Sequence, residues 1–352
     1  MKVAVVGATG NVGTAVLRAL RDSDEAAQIV GIARRLPEPA AQPYDVAEWH
    51  SVDLADPASS EALETAFNGA EAVIHLAWLI QPNRQRELMR TVNVDGTGRV
   101  LEAAARAGVR RIVVASSVGA YSPSRDSEPH DEWWPVQGIE TSHYSVDKAA
   151  QEQLLQSFQQ RHPDIDVAWL RTALVFQRGA GAEIQRLFLG PLAPTRLLGR
   201  VRIPLLPLPQ GVRLQVVHAD DAAQAYLLAA VRGSSGAFNI AADDVLVAKD
   251  LAAAVRGMKV IEVRPAVLRA AMSAAYRARA IPADAGWLDM GMQVPVMDTS
   301  RAKRELGWKP RHSARHALDE LIVGLREQLG TGSPALRGND TSMPTTRPDP
   351  AD

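Results

Sequence analysis

Cysteine is absent from the sequence, which excludes disulfides, thiolate nucleophiles and cysteine-ligated metals. Charge of one sign is absent too: acidic and basic residues almost cancel to a formal net charge of -1, so no whole-chain field draws nucleic acid or an anionic membrane. No basic patch is dense enough for an RNA- or DNA-associated protein. No apolar run is long enough to span a bilayer. The N-terminus lacks the charged segment, apolar run and small-residue cleavage site of a signal peptide. These absences predict a soluble, cytoplasmic protein that meets a small-molecule substrate, with no nucleic-acid partner, no membrane partner and no metal.

What is present begins with MKVAVVGATGNVG at the N-terminus. The valine-rich run Val3 to Val6 suits a strand buried on both faces of a parallel sheet. Gly7, Gly10 and Gly13 follow at three-residue spacing, and from Thr14 the pattern turns helical, with Ala15, Val16, Ala19 and Leu20 on one side. Gly7 serves the sharp turn, Gly10 lets backbone approach a pyrophosphate, and Gly13 lets the helix lie close on the sheet. The helix N-terminus then offers free N–H groups and the positive end of its dipole. Gly7, Thr9, Gly10, Asn11, Val12 and Gly13 are therefore candidate cofactor-binding residues. The chain has 352 residues, 46% of them hydrophobic, enough for a nucleotide-binding domain with a smaller partner.

Further strands are predicted at 28–33, 49–54, 71–77, 111–117 and 165–171, separated by helical stretches that include 86–107, which Gly108 stops. This alternation implies right-handed βαβ units. The fold class is α/β, a Rossmann-type doubly wound parallel sheet with a smaller, interleaved C-terminal substrate-binding domain. The nucleotide-binding domain spans 1–172 and also receives about 212–241, with residues 216–218 returning to the sheet. Residues 173–329 are mainly substrate-binding. Within them 177–211, rich in glycine and proline, is expected to form much of the substrate pocket and to be mobile without ligand. The Gly-, Ser-, Pro- and Thr-rich stretch 330–352 reads as a disordered tail. A long loop, 122–143, carries Trp133 and Trp134, which line the mouth of the site or cover its rim.

The most specific constellation is Ser117, Tyr144 and Lys148. Tyr144 and Lys148 lie four apart in YSVDK and share a helix face. An ammonium near a phenol lowers the phenol pKa from about 10 toward working pH, and such a tyrosine can exchange a proton with a substrate oxygen. Ser117, at the end of a strand, can hydrogen-bond the same oxygen. His75, at the end of a buried strand, reads as a packed, hydrogen-bonded histidine.

With GATGNVG at 7–13, DL at 53–54, HLAW at 75–78, NVDGT at 93–97, ASSVGAY at 115–121, YSVDK at 144–148, VVHADDAAQA at 216–225 and ELGWKP at 305–310, the chain resembles the extended short-chain dehydrogenases/reductases, the NAD-dependent epimerase/dehydratase family. The resemblance covers residue 1 to about 329. It implies that Asp53 and Leu54 border the adenine and that Leu76 and Ala77 line the cofactor cleft. Ser117, Tyr144 and Lys148 become the catalytic triad, with Lys148 also holding the nicotinamide ribose. Asn93 matches an asparagine that either braces the backbone or supports a proton-relay water. The family uses the 216–225 segment, with His218, Asp220 and Asp221, to bring the chain back to the sheet and cap a helix. Relatives often dimerise through two helices, so a homodimer is expected.

Two departures narrow the chemistry. Val118 and Gly119 stand where sugar 4,6-dehydratases of the family carry an acidic pair, which disfavours dehydration. The arginine that binds a nucleotide-sugar diphosphate is represented only by Arg213, displaced by one residue. Where NAD-preferring enzymes end the second strand on an acidic residue, this one ends in Arg34 and Arg35. Either arginine can pair with a 2′-phosphate, so NADP is expected over NAD. The expected activity is that of an NAD(P)-dependent oxidoreductase or epimerase transferring hydride at a carbonyl or hydroxyl carbon. The alternative is a non-catalytic NAD(P)-binding sensor or regulatory protein.

Overall fold

A computed structural model describes residues 1–81, 83–191 and 193–338. The first half runs β1 (Lys2–Val6), α1 (Asn11–Arg21), β2 (Gln28–Ala33), β3 (Ala47–Ser51), α2 (Ser59–Phe67), β4 (Ala72–His75), α3 (Arg86–Arg90), α4 (Gly96–Arg106), β5 (Arg111–Ser117), β6 (Pro129–His130) and α5 (His143–Arg161). Then follow β7 (Asp166–Thr172), β8 (Leu174–Phe176), α6 (Gly181–Ile184), β9 (Ile203–Pro209), β10 (Arg213–His218), α7 (Ala219–Arg232), β11 (Gly236–Ile240) and β12 (Val245–Val247). The last are α8 (Ala248–Ala254), β13 (Gly257–Val263), α9 (Pro265–Arg277), α10 (Gly286–Gln293), β14 (Val296–Met297), α11 (Ser300–Glu305) and α12 (Ala314–Glu327).

Seven strands form one parallel sheet in the order β3-β2-β1-β4-β5-β7-β11. The order reverses between β1 and β4, which opens a crevice at the carboxyl ends of those strands. Both faces of the sheet are covered, so its central strands are almost wholly apolar. On one side α1 and α7 pack Val16, Leu17, Leu20 and Tyr226 against Val3, Val5 and Ile74. On the other, α2, α4 and α5 bring Leu63, Phe67, Leu101, Leu155 and Phe158 onto Val6, Val73 and Val114. The expected Rossmann-type α/β fold is what the chain adopts.

Three expectations need correction. Residues 216–218 do not return to the large sheet. β10 pairs with β8 and β12 in a separate three-stranded sheet, because the chain leaves the main sheet at Ala173 and β11 takes the open edge of β7. Residues 330–338, expected to be disordered, pack against the N-terminal half: Leu336 and Ser333 are fully buried. The Ser333 hydroxyl donates to the Thr9 carbonyl (2.6 Å), the Tyr44 and Thr331 hydroxyls lie 2.6 Å apart, and Glu38 N–H donates to the Gly332 carbonyl (3.0 Å). Small polar side chains reach backbone groups there, which hydropathy does not register. Residues 339–352 of that expected tail lie outside the described residues. Third, the helix at 86–107 is broken: a π turn at Thr91–Asp95 separates α3 from α4.

Candidate active site

The glycine turn is built as its spacing requires. Gly7 has φ of +86°, and a Cβ there would meet the Ala77 backbone N at 2.6 Å; a Cβ at Gly13 would overlap the Gly7 carbonyl and meet Ala8 at 2.7 Å. Gly10 differs, since a Cβ there finds only the Gly7 oxygen at 3.5 Å. Its outer face is open, as a diphosphate cradle must be. No side chain caps α1 and no acidic residue lies in its first turn, so the N–H groups that an anion would engage have no competing carboxylate. The Asn11 side chain is committed elsewhere, donating to the Val175 carbonyl (2.9 Å) and accepting from Gln177 (2.6 Å). These residues fit a dinucleotide.

Around the loop, Arg34 and Arg35 are exposed at the end of β2. Asp53 lies just past β3, which is shorter than predicted, and accepts the Ala55 N–H (2.9 Å), while Leu54 is buried in the core. Leu76 and Ala77 follow β4, with the Leu76 N–H held by the Val6 carbonyl (2.8 Å). Asn93, 1% exposed within the π turn, accepts from Leu79 N–H (2.7 Å) and donates to its carbonyl (2.9 Å). Both ends of its amide are spent on bracing the segment after β4. His75 is buried with Nε2 3.0 Å from the Thr97 hydroxyl, and burial holds its pKa down at about 3. His218 caps α7, accepting the Asp220 N–H (3.2 Å).

Tyr144, Lys148 and Glu152 occupy one face of α5. The helix starts at Ser142, whose hydroxyl caps it. Ser145, which the sequence reading passed over, locks that start by donating to the Gly119 carbonyl and accepting the Ile139 N–H (2.7 Å). This seats Tyr144 beside the turn at 118–120, where the Ser117 hydroxyl accepts the Gly119 N–H (3.0 Å). The Ser117 hydroxyl is also close enough to the Tyr144 phenol to favour its ionised form. Farther along the helix, Glu152 and Arg171 form an ion pair whose side chains are 0% and 3% exposed, with Arg171 Nη2 to Oε2 at 2.6 Å.

The electrostatics depart from expectation. Burial pushes the Tyr144 phenol up to about 12, and the nearby Ser117 hydroxyl only partly offsets this. The Lys148 ammonium does not lower it. That group donates to the Ala115 carbonyl (2.6 Å) and Gln151 (3.0 Å), and its nitrogen is 3.5 Å from the centre of the Trp78 ring. Desolvation holds the Lys148 pKa well below its ordinary value, though Glu152 and Asp147 pull it back up.

The sequence reading also missed the aromatic surroundings. The Trp287 ring, from α10, is 4.8 Å from Tyr144; Trp78 meets Tyr144 edge-on at 5.8 Å, and Phe188 meets Trp287 edge-on at 4.9 Å. Trp78 was visible in HLAW, but no local pattern marks Trp287. A small cavity next to this cluster is lined by Val118, Leu174, Val245, residues 211 and 213–215, and residues 290–292 and 294–296. It draws only Gly211 from the segment 177–211, which was expected to supply much of the pocket. The same segment also supplies Phe188 to the aromatic cluster, and its strand β9 pairs with β13. Trp133 is 91% exposed and covers nothing, whereas Trp134 stacks on His130 with ring centres 3.8 Å apart.

Comparison with known proteins agrees with this architecture. MoeE5 in complex with UDP-glucuronic acid and NAD has a TM-score of 0.69 at 23% identity, covering 94% of this chain and 100% of that one. UDP-glucose 4-epimerase of Thermotoga maritima, solved with UDP-glucose, has a TM-score of 0.69 at 20% identity, covering 93% of this chain and 99% of that one. Among curated sequences, the NAD-dependent glucose-6-phosphate dehydrogenase of Haloferax volcanii is 31% identical over 195 residues, 52% of this chain and 72% of its own length. An uncharacterised Mycobacterium tuberculosis protein is 29% identical over 337 residues. This chain spans 31% of the length of that relative. The profile of the NAD dependent epimerase/dehydratase family matches residues 3–241, and the chain belongs to that family.

Proposed function

We propose that this protein is an NAD(P)-dependent oxidoreductase or epimerase acting at a carbonyl or hydroxyl carbon through Ser117, Tyr144 and Lys148. The observation that carries the reading is the seating of the Tyr144 ring beside the turn that follows Ser117 at the carboxyl end of β5, on the same sheet edge as a glycine turn open at Gly10. The bound nicotinamide supplies or accepts the hydride. Tyr144 passes the proton to or from the substrate oxygen, Ser117 orients that oxygen, and Lys148 holds the nicotinamide ribose. Reduction, oxidation and epimerisation all use these groups. Dehydration is disfavoured because Val118 and Gly119 supply no acidic side chain, and a Cβ at Gly119 would meet Met290 Sδ at 2.8 Å and Tyr144 at 3.0 Å. NADP is the preferred cofactor, with Arg34 or Arg35 pairing with its 2′-phosphate.

Screening carbonyl compounds with NADPH and NADH tests this. Tyr144→Phe should bind cofactor normally and lose turnover by roughly 10²–10⁴, and near-wild-type turnover would refute the assignment. Tighter binding of NAD than NADP, or no effect of an Arg34→Ala, Arg35→Ala double substitution, would refute the cofactor preference. One observation favours the sensor reading instead: the phenol is pushed up and the ammonium faces Trp78. A sensor shows cofactor binding and no turnover in any variant.

A further inference from the structure

We infer that the substrate is a carbonyl compound or alcohol with an apolar, aromatic body and few oxygens, not a nucleotide sugar. This rests on the reading of Tyr144 above for where the reacting oxygen lies. The walls around that position carry the argument. The Tyr144 phenol is flanked by the rings of Trp78 and Trp287, and Phe188 backs Trp287. Met290 touches both this cluster and the adjoining cavity, since its sulfur and the Tyr144 ring are the two groups nearest to Gly119.

Beyond Tyr144 the cavity is walled by Val118, Leu174, Leu214, Met292 and Val294 among others. Two of its lining residues carry polar side chains, and each has a partner within the protein. Gln215 accepts the Met297 N–H (2.7 Å) and donates to the Met297 carbonyl (3.1 Å), so both ends of its amide are used. Arg213 donates to the Asp126 carbonyl (2.8 Å). No carboxylate lines the cavity. A sugar carries a hydroxyl on nearly every carbon, and each one buried here without a partner costs about 1–3 kcal/mol. An aromatic body meets rings and thioethers, which favour it by stacking and by S···aromatic contact.

Besides the remaining guanidinium donors of Arg213, the polar groups left over are few. The buried indole N–H groups of Trp78 and Trp287 have no hydrogen-bond partner among the described residues. Donor-only groups such as these donate to one or two substrate oxygens and no more.

The test uses 4-phenyl-2-butanone, UDP-glucose and glucose 6-phosphate as probes, with the full chain and saturating NADPH or NADP. Binding is read by calorimetry and by tryptophan fluorescence, independently of turnover. The ketone should bind and neither sugar should displace it. Trp287→Leu should weaken ketone binding by about tenfold, the size of a lost aromatic pair, and Trp287→Phe should restore most of it. Circular dichroism and unchanged cofactor affinity show that each variant is folded. Sugar binding tighter than that of the ketone, or ketone binding indifferent to Trp287→Leu, would overturn the inference. Ketone binding without turnover supports it while refuting the catalytic role of Tyr144, so the two failures are distinguishable.

Discussion

Replacing Glu152 with glutamine should unfold this protein more readily than any comparably small change on its surface. Glu152 accepts from Arg171 Nε at 2.9 Å and from Nη2 at 2.6 Å, and it also accepts the Ser116 hydroxyl at 2.5 Å. The pair is sealed from solvent. Arg171 keeps two other acceptors, the Tyr121 hydroxyl and the Glu132 carbonyl, each at 2.8 Å, but neither carries charge. Glutamine would place an NH₂ donor against the guanidinium and leave a buried cation without its anion. Breaking such a pair from one side costs about 3–5 kcal/mol, whereas replacing both partners with apolar residues of similar volume is often neutral. Urea unfolding should therefore show a lower midpoint at unchanged slope for Glu152→Gln, and most of the loss should be recovered in Glu152→Met, Arg171→Met. Because Glu152 ties α5 to β5 and β7, the same substitution should also loosen Tyr144 and Lys148 and depress turnover. A loss below about 1 kcal/mol, the range of an exposed pair, would refute the reasoning. So would a double variant no more stable than the single one.

Stability should fall in acid because of His75. Its folded pKa, near 3, lies below the ordinary value of 6.5, so below pH 6.5 the unfolded chain takes a proton that the folded one refuses. Stability from this group is complete above 6.5 and drops by about 1.4 kcal/mol per pH unit down to about 3. Urea midpoints at pH 7.5 and 5.0 should differ less in His75→Asn than in the wild type, and an equal difference would count against it. Glu183 behaves oppositely: burial pushes its carboxyl up to about 7 from 4.5 despite the nearby Arg186. The folded chain keeps that proton where the unfolded one has lost it, so this contribution is present below 4.5 and vanishes as pH rises through 7. Glu183→Gln should then stabilise the protein at pH 8 by about 2–3 kcal/mol relative to its effect at pH 4.5, and a pH-independent effect in melting experiments would exclude it. Finally, the second and third glycines of the turn should separate. Gly10→Ala should melt near the wild-type temperature but bind dinucleotide poorly in a calorimetric titration, whereas Gly13→Ala should lose stability because its Cβ meets backbone. Equal melting temperatures for the two would refute the assignment.

The parallel sheet and its glycine turn were legible in the sequence because they are written in local signals. A valine run buried on both faces, glycines at three-residue spacing and a switch to helical period need no distant partner to be recognised. Tyr144 and Lys148 were legible for the same reason, since four-residue spacing on a helix puts them on one face. Asn93 was half-legible: its position was visible, but that both ends of its amide serve Leu79 depends on a π turn that pattern alone does not reveal. What only the tertiary structure decided is whatever depends on residues far apart in the chain. Trp287 reaches Tyr144 across more than a hundred residues, and Ser333 reaches Thr9 across more than three hundred. The phenol pKa belongs here too. Spacing brings the lysine close, but whether charge or burial dominates depends on what surrounds the pair. Here Trp78 and Trp287 pack against the tyrosine ring and burial raises its pKa, while the ammonium turns to a backbone carbonyl and an indole face.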